Sequence, residues 1–312
     1  MEAIMTTPAQ PKARGRIPLS IVALCLILLA ILPAARAQRN ISISWQPEEL
    51  ESGTPSLFLV KAPGAEKVIG TWQGHSLDFF KIQERLEPWY ALGGIDVGVK
   101  AGSYDLAIEV TRAGKTEILH RTIEIAPAPY KEVPLTVPEK FVQPDPAAQK
   151  IIAADQKIKD RIFASTASAP LWIGSFSPPL RSTPRTDSFG TRRVFNGSLA
   201  SVHRGLDYRA KTGTPVMAAN SGRVVLARPL YYEGNCVIID HGLGLATIYM
   251  HLSKFDVKEG EQVRRGQLIG QSGATGRATG PHLHLSVRWQ GESLDPAKLF
   301  LLKLPLPQTY DR

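Results

Sequence analysis

Short apolar-rich runs recur between residues 41 and 125, at 41–45, 56–60, 67–72, 104–110 and 122–125, and several alternate apolar with polar positions. A period of two places every second side chain on one face, the pattern of a half-buried strand. Gly, Pro and Ser bound the runs, so this segment reads as a small antiparallel β-sandwich of immunoglobulin-like type. Six prolines follow between Pro127 and Pro146. They exclude a regular helix or a central strand and mark a semi-rigid connector. Ile151, Ala154, Ile158 and Ile162 then repeat at helical spacing with Lys and Asp between them, which predicts one amphipathic helix laid on a neighbouring surface. From Trp172 the strand pattern returns, at 216–219, 222–227, 236–240, 245–250 and 284–288, separated by Gly-rich turns. The expected class is mainly β, with a second antiparallel sheet domain beyond the helical connector.

The first residues belong to neither core. Lys12, Arg14 and Arg16 precede an apolar run at 21–32, and Ala35-Arg36-Ala37 precedes Gln38. This is the arrangement of a secretory signal peptide with a small-residue cleavage site. The run is about 12 residues, short of the roughly 20 that a spanning helix needs, so no membrane span is expected after cleavage. The expected division is a signal peptide at 1–37, a β-sandwich at 38–126, a Pro-rich linker and amphipathic helix at 127–168, a sheet domain at 169–303 and a tail at 304–312. The connector further predicts that residues from about 165 onward bury a core of their own.

Export changes the meaning of charge and cysteine. The chain carries 37 Lys and Arg against 28 Asp and Glu, a formal charge of +9. Residues 1–37 hold four of the basic and one of the acidic residues, which leaves the mature part at +6. Without an RNA or DNA motif, that balance fits an anionic cell-wall polymer or lipid surface rather than nucleic acid. Of the two cysteines, Cys25 lies in the apolar run and Cys236 is alone after it, so no intramolecular disulfide can form. Cys236 sits in an apolar strand pattern and reads as core, because a reactive thiol needs an electropositive, partly exposed setting.

Candidate chemistry concentrates in the second sheet domain. Pro281-His282-Leu283-His284 puts two imidazoles two residues apart, and His203-Arg204-Gly205-Leu206-Asp207 supplies a third nitrogen and a carboxylate. Alternate residues of an extended strand share a side, so His282 and His284 can face one cleft, and Asp207 can join His203 there by the same even offset. His251 is a fifth candidate, and five of the seven histidines lie at or beyond residue 203. A lone histidine is more often a satisfied core residue than a ligand. Here the signals compound into a zinc site, in which two His and one carboxylate would leave the fourth tetrahedral position for water.

These residues resemble the signature of the M23 (lysostaphin or LytM-like) zinc peptidases, in His203-x-x-x-Asp207, a middle His251 and His282-x-His284. The surrounding segments agree in order: Ser188-Phe189-Gly190, Gly213-Thr214-Pro215-Val216, Asp240-His241-Gly242, Gly266-Gln267-Leu268-Ile269-Gly270 and Gly276-Arg277-Ala278-Thr279-Gly280-Pro281. The resemblance covers about residues 170 to 300. It implies a folded sheet with a groove, one zinc ion held by His203, Asp207 and His284, and His251 and His282 as the unliganded pair that accepts a proton and stabilises the oxyanion. Histidine suits both tasks because its free pKa near 6.5 lets modest changes select either form. Zinc would activate a water and polarise a scissile carbonyl. Relatives often carry a tyrosine shortly before the first ligand. This chain reads Phe195-Asn196-Gly197-Ser198 there, which leaves substrate and oxyanion contacts to Asn196, or to Tyr231 or Tyr232. The implied substrate is peptidoglycan, cut at a cross-link or stem peptide in the periplasm or elsewhere in the cell envelope. A noncatalytic LytM-like regulator of cell-wall amidases and a structural wall-binding protein are the alternatives, the first set apart by lost ligands.

Overall fold

The computed structural model describes residues 40–83, 88–135, 145–165, 167–181, 184–195 and 199–306. The expected signal segment 1–37, Asn196 and residues 307–312 of the tail lie outside the described residues.

Eight strands build the N-terminal part: β1 (Ser42–Gln46), β2 (Leu50–Glu51), β3 (Pro55–Lys61), β4 (Lys67–Trp72), β5 (His75–Asp78), β6 (Trp89–Gly94), β7 (Gly102–Arg112) and β8 (Lys115–Ala126). They form two sheets, in the orders β1-β3-β6 and β2-β8-β7-β4-β5. The period of two is visible on β7, where Leu106, Ile108 and Val110 are buried and the residues between them are not. Phe58 of β3 meets Trp72 of β4 edge to face at 5.5 Å, and the Trp72 indole donates to the Gly94 carbonyl at 2.9 Å, so the two sheets share one interior.

Next come β9 (Glu132–Leu135), α1 (Pro146–Ala164), β10 (Arg185–Asp187), β11 (Arg192–Phe195) and β12 (Leu199–Val202). The Pro-rich stretch thus contains a strand. Pro134 is accommodated because β9 lies at the edge of the order β12-β11-β9, where a residue without an N–H is tolerated. Asp145 caps α1 by accepting from the Ala147 and Ala148 amides at 2.9 and 2.8 Å, with Pro146 in the first turn. Ile158, Ile162 and Phe163 pack on a buried cluster of Leu226, Leu230, Cys236, Ile238, Ala246 and Ile248. Ile151, expected on the same stripe, is exposed, so the later turns of the helix are the ones laid on the sheet.

The remaining elements are β13 (Leu206–Arg209), β14 (Pro215–Met217), β15 (Gly222–Leu230), β16 (Gly234–Gly242), β17 (Leu245–Phe255), β18 (Gln262–Val263), β19 (Leu268–Ser272), β20 (His282–Trp289), β21 (Glu292–Leu294) and α2 (Pro296–Leu299). They form a ten-stranded sheet along β10-β13-β20-β17-β16-β15-β18, with β19 on β17, β14 on β19 and β21 on β20. The chain is mainly β, with antiparallel pairing throughout this sheet.

The two sheet regions are joined by more than the connector. Ile41–Arg312 is one compact unit, and a single hydrophobic cluster runs through both regions. Phe80 packs edge-on against Trp172 at 6.0 Å, Asp295 N–H donates to the Gly53 carbonyl at 2.8 Å, and Lys298 pairs with Glu51 at 2.6 Å. The expectation of a self-contained core from about 165 onward therefore meets a shared interface, because apolar residues of β21 and α2 find their cover on the N-terminal sheets.

His241, fully buried in β16, links this core to pH. Its Nδ1 meets the Ser221 carbonyl and its Nε2 the Thr247 hydroxyl, each at 2.7 Å. Burial pushes its pKa down to about 4. An unfolded histidine titrates near 6.5, so below that pH the unfolded chain gains a proton that the folded chain refuses. Stability is expected to be constant from this group above about pH 6.5 and to fall by on the order of 3 kcal/mol as pH drops to about 4. Urea midpoints across that window check it. A His241→Gln variant should be less stable at neutral pH but show a shallower acid decline, and an unchanged slope would contradict the assignment.

Candidate metal centre and groove

Three adjacent strands bring the candidate residues together. On β13 and β20, Asp207 lies directly opposite His284 and Arg209 opposite His282, while Met250 of β17 lies opposite His284 from the other side. The even spacing on β20 points His282, His284, Ser286 and Arg288 to one face, and all four line one groove of about 980 Å³. His203 enters just before β13. It is held by backbone hydrogen bonds with Thr191 and Gly190, each 2.8 Å, which assigns a role to the Ser188-Phe189-Gly190 turn. Gly205 is required by space, since a Cβ there would come within 2.4 Å of both His284 Nε2 and the Leu285 carbonyl.

His203 Nε2, His284 Nδ1 and Asp207 Oδ1 converge. They stand 3.0 Å apart between the two histidines, 3.1 Å from His203 to Asp207 and 2.7 Å from His284 to Asp207. Tetrahedral ligands of zinc at its usual bond lengths are roughly 3.3 Å from one another, so this set fits the ion closely. The outer nitrogens fix the tautomers. His203 Nδ1 faces the Ser188 carbonyl at 3.0 Å, which can only accept, so the proton is on Nδ1 and the Nε2 lone pair faces the site. Ser286 donates its one hydroxyl proton to the Arg204 carbonyl at 2.7 Å, and therefore accepts from His284 Nε2 at 2.8 Å. That turns the His284 Nδ1 lone pair toward Asp207 Oδ1 and His203 Nε2. Burial pushes the Asp207 carboxyl up, but the adjacent His203 and His284 imidazoles outweigh it and hold the carboxyl well below the usual range.

The remaining pair stands beside this cluster. The rings of His251 and His282 are 4.7 Å apart, and His251 lies 6.1 Å from the His284 ring. His251 Nδ1 donates to the Thr275 carbonyl and His282 Nδ1 to the Gly280 carbonyl, each at 2.8 Å, so both present an Nε2 lone pair. Burial, then the His284 and His282 imidazoles, hold the His251 pKa down to about 3, against the pull of the Thr275 hydrogen bond. His251 is therefore neutral at ordinary pH.

Among the expected substrate contacts, Tyr232 lines the groove, with the Arg277 guanidinium 4.4 Å above its ring. Tyr231 stacks edge-on against Tyr232 at 5.1 Å but is not part of the lining. Asn196 lies outside the described residues. Cys236 is fully buried, and burial raises its thiol pKa well above the ordinary value, which fits core and not a nucleophile. Ser286 and the carbonyls of Ser188 and Thr275 were not anticipated from sequence. For Ser286 a signal existed, since it continues the even spacing of His282 and His284.

The profile of peptidase family M23 matches residues 201–296, which hold all five residues. Residues 201–296 form a peptidase M23 domain. Peptidoglycan DD-endopeptidase ShyA of Vibrio cholerae is 48% identical over 96 residues, or 31% of this chain and 22% of that protein. DD-carboxypeptidase/endopeptidase Mpg of Neisseria meningitidis is 43% identical over 107 residues, 34% of this chain and 24% of that one. The chain thus spans less than a quarter of the length of these M23 relatives. A crystal structure of a peptidase M23 from Pseudomonas aeruginosa aligns with 84% of this chain and 93% of its own, at a TM-score of 0.58 and 26% identity, so the likeness extends beyond the M23 span into the N-terminal sheets.

Proposed function

We propose that this chain is an exported zinc endopeptidase of the cell envelope that hydrolyses peptide cross-links or stem peptides of peptidoglycan. The observation that carries the reading is the convergence of His203 Nε2, His284 Nδ1 and Asp207 Oδ1 within 3.1 Å of one another beside two further imidazoles. His203, Asp207 and His284 would hold a zinc ion, which when bound would supply Lewis-acid activation of a water and of the scissile carbonyl. His251, buried and neutral, takes the proton of the attacking water at Nε2. That proton then passes to the leaving nitrogen, while His282, on the more open side and protonated from solvent, donates from Nε2 to the developing oxyanion. Ser188, Ser286, Thr275 and Gly280 keep all four rings in the tautomers these tasks need.

The groove charge bears on the substrate. Arg204, Arg209, Arg277 and Arg288 line it against Asp187, Asp207 and Glu233. Asp207 is committed to the donor set and Glu233 to Lys159, so the open groove is cationic. Guanidinium groups favour carboxylates, which supports a carboxylate-bearing stem peptide over a neutral oligoglycine bridge. The amidase-regulator alternative is set apart by lost ligands, and His203, Asp207 and His284 are all present here. Among the described residues no helix is long and apolar enough to cross a membrane.

Release of soluble glycan-peptide fragments from purified sacculi tests the reading. A chelator should stop release and added zinc restore it, while serine- and thiol-directed reagents leave it unchanged because Cys236 is in the core. Chelator-resistant cleavage lost on thiol alkylation would overturn the mechanism.

A further inference from the structure

His251 has φ +62°, in the left-handed region where a side chain other than glycine is strained and persists only if its surroundings hold it. Two hydrogen bonds do so. The ring donates to the Thr275 carbonyl, and the backbone N–H donates to the Glu233 carbonyl at 2.8 Å. Glu233 belongs to the tight turn between β15 and β16. That turn is gripped from outside by α1, where Asp155 accepts from the Tyr231 N–H at 2.7 Å and Lys159 pairs with the Glu233 carboxylate at 2.5 Å. Asp155 and Lys159 are four residues apart and so share a helix face. The Lys159–Glu233 pair is largely withdrawn from water, with side chains 17% and 10% exposed, so loss of either partner leaves an uncompensated charge. The helix is itself seated by Ile158, Ile162 and Phe163. It lies outside the span matched to M23, and neither Asp155 nor Lys159 lines the groove.

We propose that α1 is a positioning element of the active site. Through Lys159 and Asp155 it fixes the turn at residues 231–233, and through the Glu233 carbonyl it holds His251 in its strained conformation beside His282. This rests on the reading of His251 as the base. Lys159 and Asp155 are positioning residues, acting on the reaction only through the turn. Without Lys159, the Glu233 carboxylate moves toward water, the turn follows, and the His251 backbone relaxes away from the metal ligands. Misplacement of a reacting group by about 1 Å costs on the order of 100-fold in rate.

The full chain carrying Lys159→Met, Lys159→Arg or Asp155→Ala tests this through kcat, KM, bound metal, melting temperature and hydrogen–deuterium exchange at the His251 amide. For Lys159→Met, kcat is expected to fall roughly 10- to 100-fold with KM and bound metal unchanged. Exchange at His251 should quicken while that at Asp207 and His284 stays as in the parent, and Lys159→Arg should recover most of kcat. Unchanged kcat and unchanged exchange would overturn the proposal. So would a loss of kcat that only tracks lost metal and melting temperature without rescue by arginine, since the helix would then be packing alone. Should Lys159→Met not fold, Asp155→Ala keeps the ion pair and decides through the Tyr231 bond. A parent chain that cleaves no peptide would contradict the base assignment, and the exchange at His251 would still show whether α1 holds that backbone.

Discussion

Alanine at His203, Asp207 or His284 is expected to take bound zinc from one ion per chain to none and to remove hydrolysis. Each residue supplies one of three donor atoms, and the three together make the ligand-spaced group among the described residues. A site with two protein ligands no longer competes with water for the ion. Since the ion's charge stabilisation of the transition state is worth several kcal/mol, its loss should lower kcat/KM at least about a thousandfold. Asp207→Ala should do most damage to the fold as well, because both His203 and His284 lose the carboxylate they share. Elemental analysis beside activity decides the matter. Stoichiometric zinc with full hydrolysis in His284→Ala would sink the ligand assignment.

Alanine at His251 or His282 should have the opposite signature, with the metal retained and the chemistry lost. Neither ring contributes to the donor triangle, yet both present an Nε2 lone pair beside it. General acid–base catalysis contributes typically 10²–10⁴-fold, so kcat should fall by roughly that factor with KM little changed. Because the low pKa of His251 keeps it neutral, His251→Ala should abolish the proton-accepting limb at every pH tested. A small exogenous imidazole should restore part of the rate in His251→Ala, since removing the buried ring leaves space at the groove floor. Loss of zinc in step with activity in either variant would instead place that histidine among the ligands.

The donor set was legible because β20 is extended. Histidines at 282 and 284 can share a face only if the segment is a strand, and the alternating pattern at 284–288 says that it is. The pairing of Asp207 with His284 was less accessible, since register depends on which of many antiparallel strands become neighbours. Periodicity also located α1, but not the face it uses. Ile151 belongs to the expected stripe and is exposed, while Lys159 and Asp155, which look like solvent-facing charges, grip the turn at 231–233. Six prolines spoke for an irregular connector, and edge pairing still admitted Pro134 into β9. The free-imidazole pKa near 6.5 gave no hint of burial at His251, because burial is set by residues distant in sequence.

Mass spectrometry of the fragments released from defined, directly cross-linked peptidoglycan by the zinc-loaded full chain tests the central claim most directly. The predicted result is paired new amino and carboxyl termini within the cross-linked peptides, intact glycan strands, and no such products after chelation. Intact cross-links, or release only when an amidase is added, would contradict it.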